Sequence, residues 1–470
     1  PLHNSQSVCD TENGKIDLTM AQLGEAIARY HKILESDPYK DLEWANALQE
    51  QMKARHLITG TRPVTPVLRP HLITKRQYAN LVKAAESLFG AIRRIEKMAL
   101  GTPQLLSRMQ LLPAEKMLAG VDPGYSFASV TSLLDTNLHN GSMRFVDYNA
   151  ETPLGVAFGE ALDNLFYDAP PVKEFRKKYP LTKVGGTRYL LTALLKAYKE
   201  FGKTEQPNIA IVEFRQPFQT AESPEFLVLA DYFRSEGYNT EVVSPDQLEY
   251  RNGVLRKGDF RIDLVYRRVK VHEFLVRFDL SHPLMRAYRD HAVCVVNSFR
   301  SELGQKKAMF DLLTDETITA SFPAAERKVI REFIPWTRVV AATNATYQDQ
   351  TVDLPDFILK NRTKLVLRPN DDSADNHAFR GSETDEASWE KALKQAMRTP
   401  YVVQEETEPT RFPFPVYQYG SMSIRDLRVD VHPHSFLGKV QGCSSYIRAE
   451  TPSGFTTIAG LAPTFILDAK

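Results

Sequence analysis

Cysteine is scarce in this chain: Cys9, Cys294 and Cys443 are the only three in 470 residues. They lie far apart, are odd in number and form no CxxC pair. That excludes a disulfide framework and a cysteine-based structural zinc, and sets the expectation of a reducing, cytoplasmic setting. An excess of one charge is also missing. The 59 basic and 58 acidic residues leave a formal net charge of +1, with no long basic block. A nucleic-acid partner calls for a concentrated cationic face, so no nucleic acid is expected. No apolar run reaches the ~18 residues of a membrane span, so no membrane is expected either. The opening "PLHNSQSVCDTENGK" lacks the basic stretch and apolar core of a secretory leader. Internal repeats and low-complexity tracts are absent. Glycine is missing where it would be informative: none stands between Arg368 and Gly381 in "KLVLRPNDDSADNHAFRG" (364–381). That stretch runs from an apolar strand to a cation and a polar loop, an arrangement that usually uses glycines to bring backbone N–H groups against phosphates.

What is present is an ordinary globular composition, 43% hydrophobic and 25% charged. The length suits about three domains of ~150 residues, placed at 1–125 (a helical region packing on the core), 126–322 and 323–470. "IDLTMAQLGEAIARYHKILES" sets Leu18, Leu23, Ile27, Tyr30 and Leu34 at helical spacing, and a second long helix is expected over 76–99. From 208 to 313 apolar β-branched runs alternate with helical stretches: "NIAIVEF", "YNTEVVS", "IDLVYRR" and "AVCVVNS" read as strands. The class is α/β with α+β elements and a partly parallel sheet. A single helix is expected over "GQKKAMFDLLTDE". After "YVVQEET" the chain reads as mostly β.

Four clusters join polar groups to strand ends, where α/β proteins place ligands. "DYNAETPLG" offers Asn149 and Glu151 on a turn, for a substrate or simply for an Asx turn. "IDLVYRR" ends on Arg267 and Arg268. Alternation sends one of the two inward, where a guanidinium needs a carboxylate or phosphate, from a ligand or from a structural ion pair. Lys306 and Lys307 stand in the first turn of the expected helix, opposing its dipole, and suit either an external anion or solvent. Arg368, with Gln404, Glu405 and Glu406 after it, could clamp a nucleotide. Asp430 could hold Mg²⁺, which prefers oxygen ligands.

In their order these stretches resemble the circularly permuted ATP-grasp family, the glutathionylspermidine-synthase-like group. "FVDYNAETPLG", "IDLVYRR", "VVNSFRSELGQKKAMF", "PWTR", "VDLPDFILKNRTKLVLRPND", "YVVQEE", "DLRVDVHPHSFLGKVQG" and "IAGLAPTF" follow one another over roughly 120–467. The resemblance implies an ATP-grasp-like, circularly permuted fold with an N-terminal helical layer. It implies an ATP-dependent carboxylate–amine ligase, with an acyl-phosphate intermediate and an amide product. ATP and Mg²⁺ are the implied cofactors, and a small-molecule carboxylate and an amine the implied partners; homo-oligomerisation is left open. By position, Arg368 and Lys307 would meet the nucleotide phosphates, with Arg368 also catalytic. Gln404, Glu405 and Glu406 would meet adenine. Asn149, Glu151, Arg267 and Arg268 would face the substrate, with Arg268 catalytic, and Asp430 would bind metal.

The chain departs from the family pattern on the nucleotide side. Arginine replaces the phosphate lysine at 368. The family's "N-D-x-Y-G-G-x-G" loop becomes "NDDSADNHAFRG", with Ser373 for the tyrosine and Ala374, Asp375 and His377 for glycines. A carboxylate at Asp375 about 4 Å from a phosphate charge would repel it by ~4 kcal/mol at an effective dielectric near 20. Thr456 or Thr457 stands in place of a metal-side asparagine. These losses argue against ATP turnover and set an alternative expectation: a non-catalytic, ligand- or partner-binding relative on the same fold.

Overall fold

The computed structural model describes residues 9–139, 142–214, 225–371, 377–449 and 458–468. The loop positions Ser373, Ala374 and Asp375 and the threonines Thr456 and Thr457 lie outside them.

The expected alternation over 208–313 is a four-stranded parallel sheet, ordered Cys294–Val296, Leu264–Arg267, Ile209–Val212, Thr240–Val243. Its runs are apolar on both faces because helices cover both. Ile209, Ile211, Leu264 and Tyr266 enter one apolar cluster, while Ala210, Val212 and Val265 enter another.

A large antiparallel sheet forms the centre of the molecule. Its path runs Ala459–Ala462, Lys439–Arg448, Ser421–Phe436, Thr131–His139, Ser142–Asn149. The 16-residue strand Ser421–Phe436 is shared along one edge: its first half pairs with Arg411–Gln418 and its second with Thr131–His139. A third sheet is antiparallel, ordered Thr337–Val339, Tyr401–Glu405, Leu365–Pro369, Phe379–Arg380. Thr464–Leu467 lies between His71–Thr74 and Leu181–Lys183, joining three distant parts of the chain.

The helix expected over 76–99 spans Lys75–Gly101. Leu81, Ala85, Leu88, Ile92, Ile95 and Ala99 are buried at intervals of three and four, and most of them pack into the core against the large sheet and Phe310. A capping box starts it: Thr74 Oγ1 accepts from the Gln77 N–H at 3.2 Å, and Gln77 Oε1 accepts from the Thr74 N–H at 3.0 Å. In the first helix, Cys9–Leu34, Leu23, Tyr30 and Leu34 are buried as the spacing requires. Among the described residues no helix is long and apolar enough to cross a membrane.

Three features differ from the sequence reading. Thr131–His139 is a nine-residue strand not foreseen, whereas the helix Glu43–Ala54 falls inside the region 1–125 expected to be helical. Thr131–His139 and Ser142–Asn149 join the sheet built from 411–462, so the large sheet draws on both sides of the boundary expected at 322. The helix expected over 304–316 is broken in two, Glu302–Gln305 and Ala308–Leu313, with Lys306 in an extended conformation between them. Lys306 is therefore not in a first helical turn.

Removing the start signal of the long helix tests its contribution. Thr74→Ala should cost about 1 kcal/mol, read as a lower urea midpoint, with Thr74→Ser close to the parent. An unchanged midpoint in Thr74→Ala would show that the cap is redundant.

Candidate functional site

The turn after Ser142–Asn149 is built from its own side chains. Asn149 Oδ1 accepts from the N–H groups of Glu151 (3.2 Å) and Thr152 (3.0 Å), an Asx turn. This aims Glu151 inward, where it is fully buried and 2.7 Å from Arg267 Nη1. All five Arg267 donors have acceptors: Glu151, the carbonyls of Asn297, Ser298 and Val269, and Ser301 Oγ. Asn297 completes the knot. Its Oδ1 accepts from the N–H groups of Val130 and Thr131, and its Nδ2 donates to the carbonyls of Thr131 and Ala150.

Arg268 lies beyond the end of its strand and is buried as well, so neither arginine faces solvent as alternation suggested. It donates to Pro153 O at 2.9 Å and lies 3.7 Å from Glu225 and 4.0 Å from Glu213. Its Nε has no hydrogen-bond partner. Burial pushes Glu213 up to about 7, against the pull of Arg268. The Glu225 carboxylate accepts from the N–H groups of Gly155, Ala157 and Phe158, the start of the helix Val156–Tyr167. Gly155 adopts φ 96 there, a value that favours glycine.

Strand alternation in Leu365–Pro369 buries Leu365 and Leu367 under Trp389 and turns Arg368 to the other face, toward the large sheet. Arg368 donates to Val146 O (2.6 Å), Asp147 Oδ2 (2.6 Å) and Gln404 Oε1 (3.1 Å). Lys307 Nζ lies 2.8 Å from Asp147 Oδ1. The structure thus brings Lys307, Arg368 and Gln404 together around one carboxylate. Glu405 and Glu406 diverge from that point. Glu405 accepts from Tyr347 Oη at 2.8 Å and from the Trp336 N–H at 3.2 Å, while Glu406 accepts from Arg380 and Ser382. Both border a cavity of about 810 Å³ at the junction of the two antiparallel sheets, lined also by Asn137, Arg144, Lys364 and Arg380.

The lysine beside Lys307 is buried differently. Lys306 Nζ lies 2.8 Å from Glu115, 2.8 Å from Glu302 and 2.6 Å from Asp371. Burial alone would depress its pKa; Glu302, Asp371 and Glu115 outweigh that and raise it, holding the ammonium charged. Burial, reinforced by the charge of Glu151, pushes Glu302 up to about 7 against Lys306. The three carboxylates have ligand atoms within 4.8 Å of one another, the spacing of a cation site, and the ammonium occupies that role itself.

Asp430 sits among cations, 2.9 Å from Arg428 Nε and 3.7 Å from Arg448 Nη2. Its neighbour Asp135 pairs with His432 at 3.5 Å. Burial, then Asp135, raises the Asp430 pKa. A carboxylate flanked by two guanidiniums does not fit a Mg²⁺ ligand, so the surroundings of Asp430 do not suit the metal role expected of it. Sequence reasoning missed Asp135, which stands directly across from Asp147 in the strand pair and feels Arg368 as well as His432. Recognising Thr131–His139 as a strand would have revealed it, since period two then places it opposite Asp147.

This is an α/β, ATP-grasp-like fold. No family profile matches the sequence, and no curated protein matches it. Among solved structures the chain is similar to a glutathione synthetase-like effector from Globodera pallida in its apo form, at a TM-score of 0.57 and 15% identity, covering 92% of this chain and 98% of that one. A putative gamma-glutamylcysteine synthetase from Methylobacillus flagellatus aligns at a TM-score of 0.40 and 11% identity, over 81% of this chain and 85% of that one. A RimK-domain ATP-grasp protein from Sphaerobacter thermophilus aligns at 0.27 and 14% identity, over 55% and 88%. At 15% identity the likeness to the effector concerns the fold alone.

Two outcomes follow from the buried groups. Glu151→Ala strands the Arg267 guanidinium and should cost about 3–5 kcal/mol, while Glu151→Ala with Arg267→Met should cost less than the sum of the single changes; denaturant unfolding of the three variants measures this. Glu213 is held above the carboxylate range in the fold. Its contribution to stability is therefore complete below about pH 4.5 and is lost as pH rises through about 7. The urea midpoint of the parent should fall over that window relative to Glu213→Gln; parallel curves would contradict the shift.

Proposed function

We propose that the chain is a circularly permuted ATP-grasp ligase that joins a small-molecule carboxylate to an amine, with the nucleotide held between the large sheet and the sheet of Leu365–Pro369. The observation that carries this reading is the convergence of Lys307 and Arg368, 61 positions apart, on Asp147 beside Gln404. Two cations gathered on one partly buried carboxylate at a sheet junction suit a polyphosphate, because cationic side chains positioned in advance are what phosphoryl transfer needs. Bound ATP would supply the phosphoryl group that activates the carboxylate. Lys307 and Arg368 would neutralise its phosphates, moving off Asp147 to do so. Glu405, bordering the 810 Å³ cavity, would face the base. Arg268, whose Nε makes no hydrogen bond and stands 4.0 Å from Glu213, is the substrate-side cation of this reading. Arg267, Glu151 and Asn149 would position it. Cys294 and Cys443 are buried free thiols, which suits a reducing compartment. No step is assigned to Mg²⁺, since Asp430 is engaged by arginines.

A second reading is a non-catalytic ligand-binding relative. It is favoured by Asp147 itself, a built-in anion lying where a phosphate would have to compete.

Thermal unfolding with ATP and MgCl₂ separates the two. In the ligase reading the parent shows a saturable upward shift of a few degrees at 100-fold Kd, equivalent to about 2.7 kcal/mol. Arg368→Ala and Lys307→Ala abolish it, and Asp147→Asn enlarges it by freeing the cations. No shift at millimolar ATP in either the parent or Asp147→Asn sinks the ligase reading and leaves the second.

A further inference from the structure

On the opposite face of the large sheet, away from Asp147, a cavity of about 170 Å³ opens beside the Lys75–Gly101 helix. Strand alternation separates the two places: Asp147 faces the cations, and its neighbour Tyr148 turns toward Phe89. The inner lining is buried and polar, formed by Glu96, Ser129, Ser132 and Tyr148. Phe127 and Leu437 are half-exposed at the rim, and Phe89 forms an apolar wall.

Glu96 is the anomaly. It is only 6% exposed, and its Oε1 has no hydrogen-bond partner. The charge that acts on it is Arg93, one helical turn earlier, but that guanidinium is exposed and lies over the Phe127 ring at 4.0 Å. Glu86, at the same cavity, is already taken by Lys439 and the Val440 N–H. The Ser129 hydroxyl stands against Tyr148 yet closes no hydrogen bond of normal geometry. A buried carboxyl left unpaired is costly, and the group that best restores it is a charged donor. The volume equals about six waters at ~30 Å³ each, room for a ligand of about five or six heavy atoms.

We propose that this cavity binds a small primary alkylammonium ligand, its N–H groups donating to the Glu96 carboxylate and the Ser129 hydroxyl and its short apolar stem lying against Phe89 and Phe127. The site is independent of the nucleotide reading, since it lies on the other face of the sheet and uses none of the same residues. Burial pushes Glu96 up to about 8, so near pH 7 the carboxyl is mostly protonated. An arriving ammonium then displaces that proton to solvent, forming a carboxylate–ammonium pair and releasing close to one proton per ligand bound.

Isothermal titration of the full chain with n-butylammonium chloride at pH 7, in two buffers of different ionisation heat, tests this. The expected result is saturable binding with proton release, weakened at least tenfold in Glu96→Gln and clearly reduced in Ser129→Ala and Phe127→Ala, while tetramethylammonium, which has no N–H donor, binds no better than background. The two milder variants keep the test decisive should Glu96→Gln fail to fold. Absence of saturable binding by the parent, equal binding of tetramethylammonium, or unchanged affinity in the folded variants overturns the proposal.

Discussion

The pair of Glu151 and Arg267 is the constraint on which the arrangement of sheets depends. Both side chains are fully buried, and each charge removed from water costs several kcal/mol. That is tolerable only because all five guanidinium donors are met, at roughly 1.5–3 kcal/mol for each bond to a charged group. The acceptors come from three separate places: the turn that ends Ser142–Asn149, the segment after Cys294–Val296, and the arginine's own strand end. The pair therefore fixes where the parallel sheet abuts the large sheet. Asn297 does the same for Val130 and Thr131, so both strands of the Thr131–Asn149 hairpin are tied to one point.

From that point outward the molecule neutralises its cations with its own carboxylates. Lys306 sits within Glu115, Glu302 and Asp371; Lys307 and Arg368 share Asp147; Arg428 and Arg448 flank Asp430; the helix start at Val156 receives Glu225. These groups differ in how readily they could turn to a ligand. Lys306 is enclosed by three anions, and extracting it would strand all of them. Asp147 is about a fifth exposed while it holds its two cations, so water can take over the carboxylate when the cations leave. The balance favours Lys307 and Arg368 over Lys306 as the pair able to meet an incoming anion, although the two lysines are adjacent in sequence.

The sequence revealed what periodicity carries and concealed what distant partners decide. The alternation over 208–313 was legible because a strand covered on both faces is apolar throughout, as in Ile209–Val212. The gathering of Lys307, Arg368 and Gln404 was legible only through the order of motifs, since nothing local connects positions 307, 368 and 404. The break at Lys306 was not legible. "GQKKAMFDLL" has good helical propensity, but three carboxylates from positions 115, 302 and 371 hold the ammonium and override it. Thr131–His139 was missed because "TSLLDTNLH" does not alternate cleanly: Asp135 faces the polar side while Thr136, at a bulge, is buried. The pairing assumed for Arg267 and Arg268, one in and one out, failed because the strand ends at Arg267 and the period of two ends with it.

The strand Ser142–Asn149 shows how one element can serve two chemically opposite environments. Asp147 lies between two cations, whereas Tyr148 lies beside a carboxyl that burial holds protonated. Only one peptide unit separates the two, and the turn that follows is locked by Asn149 and Glu151. A displacement of that turn would move both environments together, because the register of the strand against Thr131–His139 leaves neither residue free to shift alone. The buried pair at the strand's end therefore sets the geometry on both faces of the sheet, and any ligand that pulls Asp147 must work against the same five hydrogen bonds that hold Arg267.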